Sequence, residues 1–322
     1  MEKLRCVFMG TPEFALGPLE ALAQAPFIEI VCAFTRPDAI SGRGKKLVAS
    51  PVKEVALGAG IPVFEPRTLR DEAEVERLRA LAPDVICVAA YGMILPQAVL
   101  DIPKHGCLNV HASLLPKYRG AAPIERAILN GDDEAGVCIM RMEAGLDTGD
   151  YCICRSCQIA GMNAERLTGE LADKGAYALL SALYDVEHGV ERWVKQVEEE
   201  ATWAPKIEKG ELNLNPAITR VENLRHVQAS GVQHPSKCSI AGKGVTVLSA
   251  SALSQDDSCF EAASGLAQGK VLFAQKRLFL GCADGVFEIL EIKPDGKKEM
   301  DARSFAAGVQ NIKSGEIEWE TL

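Results

Sequence analysis

Leu4-Arg-Cys-Val-Phe-Met-Gly10-Thr-Pro-Glu-Phe-Ala15 opens the chain with a nearly uncharged run that ends on glycine and passes straight into a helical pattern over residues 13–23. Such continuous hydrophobicity marks a strand covered on both faces, because a half-exposed strand would alternate. Working outward, the same texture returns at residues 28–35, 61–64, 84–90 and 107–111, with helical candidates at 51–58 and 71–81 between them. Strand–helix–strand repetition predicts an α/β fold with a doubly wound, mostly parallel sheet, whose ligands bind beyond the carboxyl ends of the strands. The first turn holds one glycine where a dinucleotide fingerprint needs three, which argues against NAD or FAD, and no Walker motif occurs. A local explanation of the turn suffices: Thr11 as helix N-cap and Pro12 in the first helical position.

Farther along, the pattern predicts a helix over 123–129 and strands over 136–142 and 151–159. Leu167, Leu171, Gly175, Leu179 and Leu183 then recur every four residues, the apolar face of one long core helix ending near His188 and Gly189. Residues 187–200 are polar and acidic. From Trp203 onward short β-runs at 237–240, 244–249, 270–272, 278–282 and 285–292 predict a small barrel or sandwich. The expected division is a catalytic domain over 1–189, a linker over 190–206 and a C-terminal domain over 207–322.

A length of 322 residues fits two domains, and 48% hydrophobic with 25% charged residues excludes disordered and fibrous classes. The absence of a long apolar run and of a signal-peptide pattern predicts a cytosolic protein without a membrane partner. A net charge of −9 argues against indiscriminate nucleic-acid binding. The eleven cysteines are odd in number and sit mostly in strand-like runs, so reduced, buried thiols are expected. Cys152, Cys154 and Cys157 have ligand-like spacing but no fourth Cys or His nearby, and no metal is expected.

The densest polar constellation is Gly106-Cys-Leu-Asn109-Val-His111-Ala-Ser113-Leu-Leu-Pro116-Lys-Tyr-Arg119-Gly-Ala-Ala-Pro123. Two residues apart on a strand, Asn109 and His111 face the same way at its ligand end. Later comes Glu143-Ala-Gly145-Leu-Asp147-Thr-Gly149-Asp150, a carboxylate flanked by glycines. An amide that stabilises an oxyanion, an imidazole that moves protons and a carboxylate that orients it suit metal-free acyl transfer. Taken singly, His111 is explained as a core histidine and Asp147 as a turn residue; together they point to chemistry. A third segment, residues 36–53, carries Arg36, Arg43, Lys45, Lys46 and Lys53 against Asp38 alone, a local +4 in a glycine-rich loop. Either it is a solvated basic loop or it grips phosphates beside the reacting centre.

These motifs resemble the methionyl-tRNA formyltransferase family. The resemblance runs over roughly residues 4–206, through the 9–15 turn, the Gly42-Arg-Gly-Lys-Lys46 loop with Ser50-Pro-Val-Lys53, and residues 84–96, 107–131 and 139–149. The Asn109-x-His111-x-Ser113-Leu-Leu-Pro116 block is shared by folate-dependent formyltransferases generally and implies the chemistry. The basic loop, the Arg119-Gly-Ala-Ala-Pro-Ile124 run and the β-rich C-terminal part resemble the tRNA-directed branch and imply the acceptor. The resemblance implies a Rossmann-like catalytic domain followed by an OB-like barrel, and 10-formyltetrahydrofolate as formyl donor without a metal. It also implies initiator methionyl-tRNA as partner and a monomer. It makes Asn109, His111 and Asp147 the catalytic positions. Val88, Ala89, Ala90, Tyr91, Gly92, Met93, Ile94 and Leu95 would line the pterin pocket, with Ser113, Leu114, Leu115 and Pro116 in the folate site. Arg36, Gly42, Arg43, Gly44, Lys45 and Lys46 would meet tRNA. The C-terminal match departs from the family where Val227-Gln-Ala-Ser-Gly-Val-Gln-His234-Pro235 lacks the usual tryptophan. A formyltransferase for a sugar-nucleotide amine and a noncatalytic tRNA- or folate-binding protein stay open as alternatives.

Overall fold

The computed structural model of the chain describes residues 3–41, 46–314 and 316–322. Two compact units result: the first holds Met1–Pro123, Asp133–Ile159 and Arg166–Pro205, the second Ile124–Asp132, Ala160–Glu165 and Lys206–Leu322. Residues 190–205, expected as a linker, belong to the first unit. Val194 forms an antiparallel bridge with Tyr151, and Gln196 is buried. That segment has no apolar periodicity because single polar side chains, rather than an apolar stripe, hold it in place.

The first unit is built on seven strands in the spatial order Tyr151–Gln158, Glu134–Arg141, Cys107–His111, Val85–Ala89, Leu4–Gly10, Ile28–Phe34, Val63–Phe64. The last five run parallel, while Glu134–Arg141 is antiparallel to Cys107–His111 and Tyr151–Gln158 is antiparallel to Glu134–Arg141. The chain starts mid-sheet, winds outward through Ile28–Phe34 and Val63–Phe64, then returns to Val85–Ala89 on the other side. The direction of winding therefore reverses between Leu4–Gly10 and Val85–Ala89, and loops leaving a doubly wound sheet there form a ligand crevice.

At the first turn the structure corrects the capping assignment. Helix Leu16–Gln24 starts after a 3-10 turn, Glu13–Ala15, which has Pro12 as its N-cap and no side-chain cap bond. With the helix displaced, the Thr11 hydroxyl donates to the Tyr91 carbonyl at 3.0 Å and accepts from the Arg36 N–H at 3.4 Å. It thereby ties three strand-end loops together. Helix Pro51–Gly58 spans the expected range and is capped by Ser50, whose Oγ accepts from the Lys53 N–H at 3.1 Å, with Pro51 leading the first turn. The long helix Ala164–His188 buries Leu167, Leu171, Leu179 and Leu183. Gly175 completes the stripe because a Cβ there would lie 2.6 Å from Val110, so only glycine lets helix and strand approach this closely.

The cysteines are not all reduced: Cys138 and Cys154 form a disulfide. They oppose each other in the antiparallel register of Glu134–Arg141 and Tyr151–Gln158, a proximity that linear spacing does not disclose. Cys152 and Cys157 remain free, so the cluster offers two thiols and not three. Elsewhere burial pushes the thiols of Cys32, Cys107 and Cys238 up to about 12, which keeps them inert near neutral pH.

In the second unit six antiparallel strands follow the order Val271–Ala274, Arg277–Cys282, Gly285–Pro294, Lys243–Ala252, Lys237–Ile240, Trp319–Glu320. A bridge between Lys270 and Glu318 joins the last strand to the first, with Val271 N–H donating to Ile317 O and Trp319 N–H to Gly269 O, both at 2.9 Å. The ring is therefore a nearly closed barrel. Its interior holds Ile240, Val247, Leu280, Phe287, Ile289 and Trp319, and the indole N–H of Trp319 donates to Gly281 O at 2.8 Å. Helix Arg220–Ala229 starts on a capping box in which Thr219 and Glu222 satisfy each other's backbone N–H.

Candidate active site

Strand Cys107–His111 begins after Gly106, whose φ of +76° turns the chain into the sheet, and its alternation sorts the side chains. Val110 faces the long helix, while Asn109 and His111 share the opposite face, across from Met140 and Cys138 of the neighbouring strand. His111 is buried. Its Nε2 lies 3.0 Å from the Tyr118 carbonyl, and since a carbonyl only accepts, Nε2 carries a proton. Its Nδ1 lies 3.8 Å from Asp147 Oδ2, an ion-pair distance longer than a hydrogen bond. The expected histidine–carboxylate partnership is thus present as a juxtaposition, but the bond that fixes the ring comes from Tyr118. Asp147 Oδ2 is itself held by the Gly120 N–H at 2.9 Å. The Asn109 carboxamide is half-buried and makes no hydrogen bond among the described residues.

The structure divides the expected folate residues. Val88, Ala89, Tyr91 and Leu95 are buried in or beside one apolar cluster, Met93 packs against it, and Ile94 is 76% exposed. Ala90 and Gly92 take φ of +45° and +76°, so the loop bends sharply after the strand. Tyr91 is core: burial pushes its phenol pKa up, and its hydroxyl has no partner among the described residues. In the second stretch Ser113 spends its hydroxyl on the loop itself, donating to the Lys117 carbonyl at 2.6 Å. Leu114 and Leu115 pack with Cys138, Met140 and Cys154, and the Leu115–Pro116 bond is cis.

Of the residues expected to meet tRNA, Arg36 lies against the loop after strand Val85–Ala89, its Nη1 donating to the Gly92 carbonyl at 3.1 Å. Gly42, Arg43, Gly44 and Lys45, and the side chain of Lys46, fall outside the described residues. Lys53, counted with the basic segment, is not available to phosphate in this arrangement: its ammonium sits 2.7 Å from Asp38 and 2.8 Å from Glu65.

Residues 4–183 match the family described as Formyl transferase, and residues 206–310 match the family's C-terminal domain. The chain belongs to the formyl transferase family. This formyltransferase is 40% identical to the methionyl-tRNA formyltransferase of Stenotrophomonas maltophilia (strain R551-3) over 315 residues, 97% of this chain and 100% of that one. It is 41% identical to the methionyl-tRNA formyltransferase of Neisseria meningitidis serogroup C (strain 053442) over 308 residues, 95% of this chain and 97% of that one. HypX from Aquifex aeolicus in complex with tetrahydrofolic acid superposes with a TM-score of 0.65 at 18% identity, over 96% of this chain and 48% of that one. WlaRD, a sugar 3N-formyl transferase, gives 0.62 at 18%, over 92% and 99%. At such identities the likeness to the solved structures is one of fold.

Two residues that brace the candidate site carry no signal in the sequence. Tyr118 holds the His111 ring through its carbonyl, which no side-chain pattern reveals. Gln196 lies in the polar stretch and is 5% exposed, with three hydrogen bonds, to Arg119 and to the Asp147 and Gly149 carbonyls.

Proposed function

We propose that this formyltransferase moves the formyl group of 10-formyltetrahydrofolate to the α-amine of methionyl-initiator tRNA. The convergence of Asn109, His111 and Asp147 at the ligand end of one sheet carries the chemical part of the reading, and kinship over nearly the whole chain supports the acceptor. The residues suit the donor: uncharged loops, 88–95 and 113–116, flank a carboxamide with no partner among the described residues.

In this mechanism the neutral amine attacks the formyl carbon and a tetrahedral oxyanion forms. Asn109 donates to that oxygen from a fixed strand position, where an oriented dipole is worth more than in water. His111 takes the proton of the attacking nitrogen and returns one to the departing folate nitrogen, so the amide forms as the carbon–nitrogen bond to folate breaks. Nδ1 serves this relay, since Nε2 is tied to Tyr118, and Asp147 compensates the charge on the ring. No charge is left on the products.

The basic loop around Arg43 would bind the acceptor end, and the barrel would hold the tRNA body. Residues 206–322 carry fourteen basic and fifteen acidic side chains, so that grip rests on where the cations sit and not on net charge. Every candidate site residue comes from one unit of one chain, and among the described residues no helix is long and apolar enough to cross a membrane. Both suit a monomer working in the cytosol.

Formylation assays with charged initiator tRNA, elongator tRNA and amino-sugar nucleotides test the acceptor; transfer to a sugar nucleotide but not to initiator tRNA would overturn it. Asn109→Ala is expected to lose roughly 10²–10³-fold in kcat while still binding formylfolate. A wild-type rate would remove Asn109 from the mechanism.

A further inference from the structure

Asp147 does not reach His111 by an ordinary turn. Its φ of +53° lies in the left-handed region, which costs a residue with a Cβ unless its surroundings impose it. Two residues on, Gly149 is pressed so closely to the preceding strand that a Cβ would lie 1.9 Å from the Arg141 carbonyl. The Gln196 carboxamide clamps this segment: its Nε2 donates to the Asp147 carbonyl at 2.8 Å and to the Gly149 carbonyl at 2.7 Å. Both N–H groups of the amide are thus spent on the Asp147 turn. Its Oε1 accepts from Arg119 Nε at 2.9 Å. The amide cannot be flipped without facing oxygen to carbonyls and nitrogen to a guanidinium, so its orientation follows from its partners.

Gln196 is fixed from two sides. Two residues earlier, Val194 exchanges backbone hydrogen bonds with Tyr151, at 2.7 and 3.1 Å. Arg119, 1% exposed, is fixed in turn by Glu198, whose two oxygens accept from Nη2 and Nη1 at 2.7 and 2.9 Å. The network returns on itself, because the residue after Arg119 is Gly120, whose N–H holds the Asp147 carboxylate at 2.9 Å. Arg119 and Gly120 therefore grip Asp147 at both ends, one through Gln196 to the backbone and the other directly to the side chain.

We propose that Gln196 is a positioning residue for formyl transfer, holding the Asp147 turn in the one conformation that faces its carboxylate to His111. This rests on the role given to Asp147 above. The amide touches no candidate reacting group; it acts through the backbone of Asp147. A low-dielectric setting and full use of its donors make it a rigid clamp.

Steady-state formylation of charged initiator tRNA by the full chain tests it with three variants. Gln196→Met removes all three bonds at similar volume. Gln196→Glu keeps an acceptor for Arg119 and removes only the donors to the turn. Asp147→Asn removes the carboxylate charge. Both Gln196 variants are expected to lose roughly 10–100-fold in kcat with KM for formylfolate changed less than about twofold, the signature of a misplaced group. Combined with Asp147→Asn, either should cost nothing more, since the turn then has no carboxylate to place. Thermal melts separate folding from positioning, and Gln196→Glu serves if Gln196→Met does not fold. A wild-type kcat in Gln196→Glu, or losses that multiply in the double variant, would overturn the clamp. A wild-type rate in Asp147→Asn overturns instead the role of Asp147, and with it the basis of the proposal.

Discussion

Arg119 in the first unit and Arg277 in the second each hold acceptors in one planar fork, and they differ in what lies behind those acceptors. Arg119 reaches Gln196 and Glu198, and through Gln196 the turn that carries Asp147. Arg277 reaches Glu288 by Nε at 2.8 Å and Asp257 by Nη1 at 2.6 Å, and lies over the Phe279 ring. Its partners lead only to the barrel wall and the loop packed on it. The same bidentate chemistry fastens a working turn in one place and a scaffold in the other, so a well-bonded arginine gains functional meaning only from the second link in its network.

The widest gap between the two should be in turnover. Arg119→Met is expected to lower kcat roughly 10–100-fold by loosening Gln196 and the Asp147 turn, whereas Arg277→Met should stay within about twofold. Equal losses would erase the distinction. In stability the order reverses for the barrel: Arg277→Met leaves the largely buried Glu288 carboxylate without its partner and should cost about 2 kcal/mol, read by chemical denaturation of the full chain. An unchanged midpoint would mean that solvent replaces the guanidinium freely. A third knot, Lys53 between Asp38 and Glu65, has the more exposed carboxylates and sets the low end; Lys53→Met should shift the denaturation midpoint less than Arg277→Met does. It should also spare tRNA use, unlike Arg43→Ala, which is expected to weaken it.

Acid sharpens the comparison further. The Arg277 guanidinium holds the Asp257 carboxyl below its ordinary 3.8, and Arg119 holds Glu198 below its ordinary 4.5. A carboxyl depressed in the folded state stabilises fully above its unfolded value, and that contribution is lost as pH falls through the folded value. Melting temperature should therefore drop on acidification below pH of about 4. Arg277→Met should flatten that drop, and an unchanged acid profile would deny the pairing any part in it.

The legibility of the chain follows the same line between apolar burial and polar fastening. The strands at 4–10, 85–89 and 107–111 were readable because burial on both faces writes itself into every residue, and the long helix because its stripe repeats. Asn109 and His111 were readable from the two-residue period of a strand. Asp147 stood out through its glycines. Gln196 had no such signal, since its role is a set of hydrogen bonds made across long sequence distances. The Cys138–Cys154 pair needs the strand register, and Thr11 is ambiguous because helix start and loop tie look alike in one dimension. Thr219-x-x-Glu222 was a legible capping box that the β-rich texture around it concealed. Trp319–Glu320, two residues long, is too short for any periodicity.

That short strand has a consequence for how the barrel is made. Because Trp319–Glu320 is the seam, pairing with Lys237–Ile240 on one side and meeting Lys270 through Glu318 on the other, the ring stays open until residue 320 has left the ribosome. Residues 124–132, which belong to the same unit, meet their partners Lys206 and Glu211 only after about 80 further residues have been made. Trimming residues 317–322 would not shorten a tail but unzip a cylinder, baring two strand edges of the kind that recruit other chains.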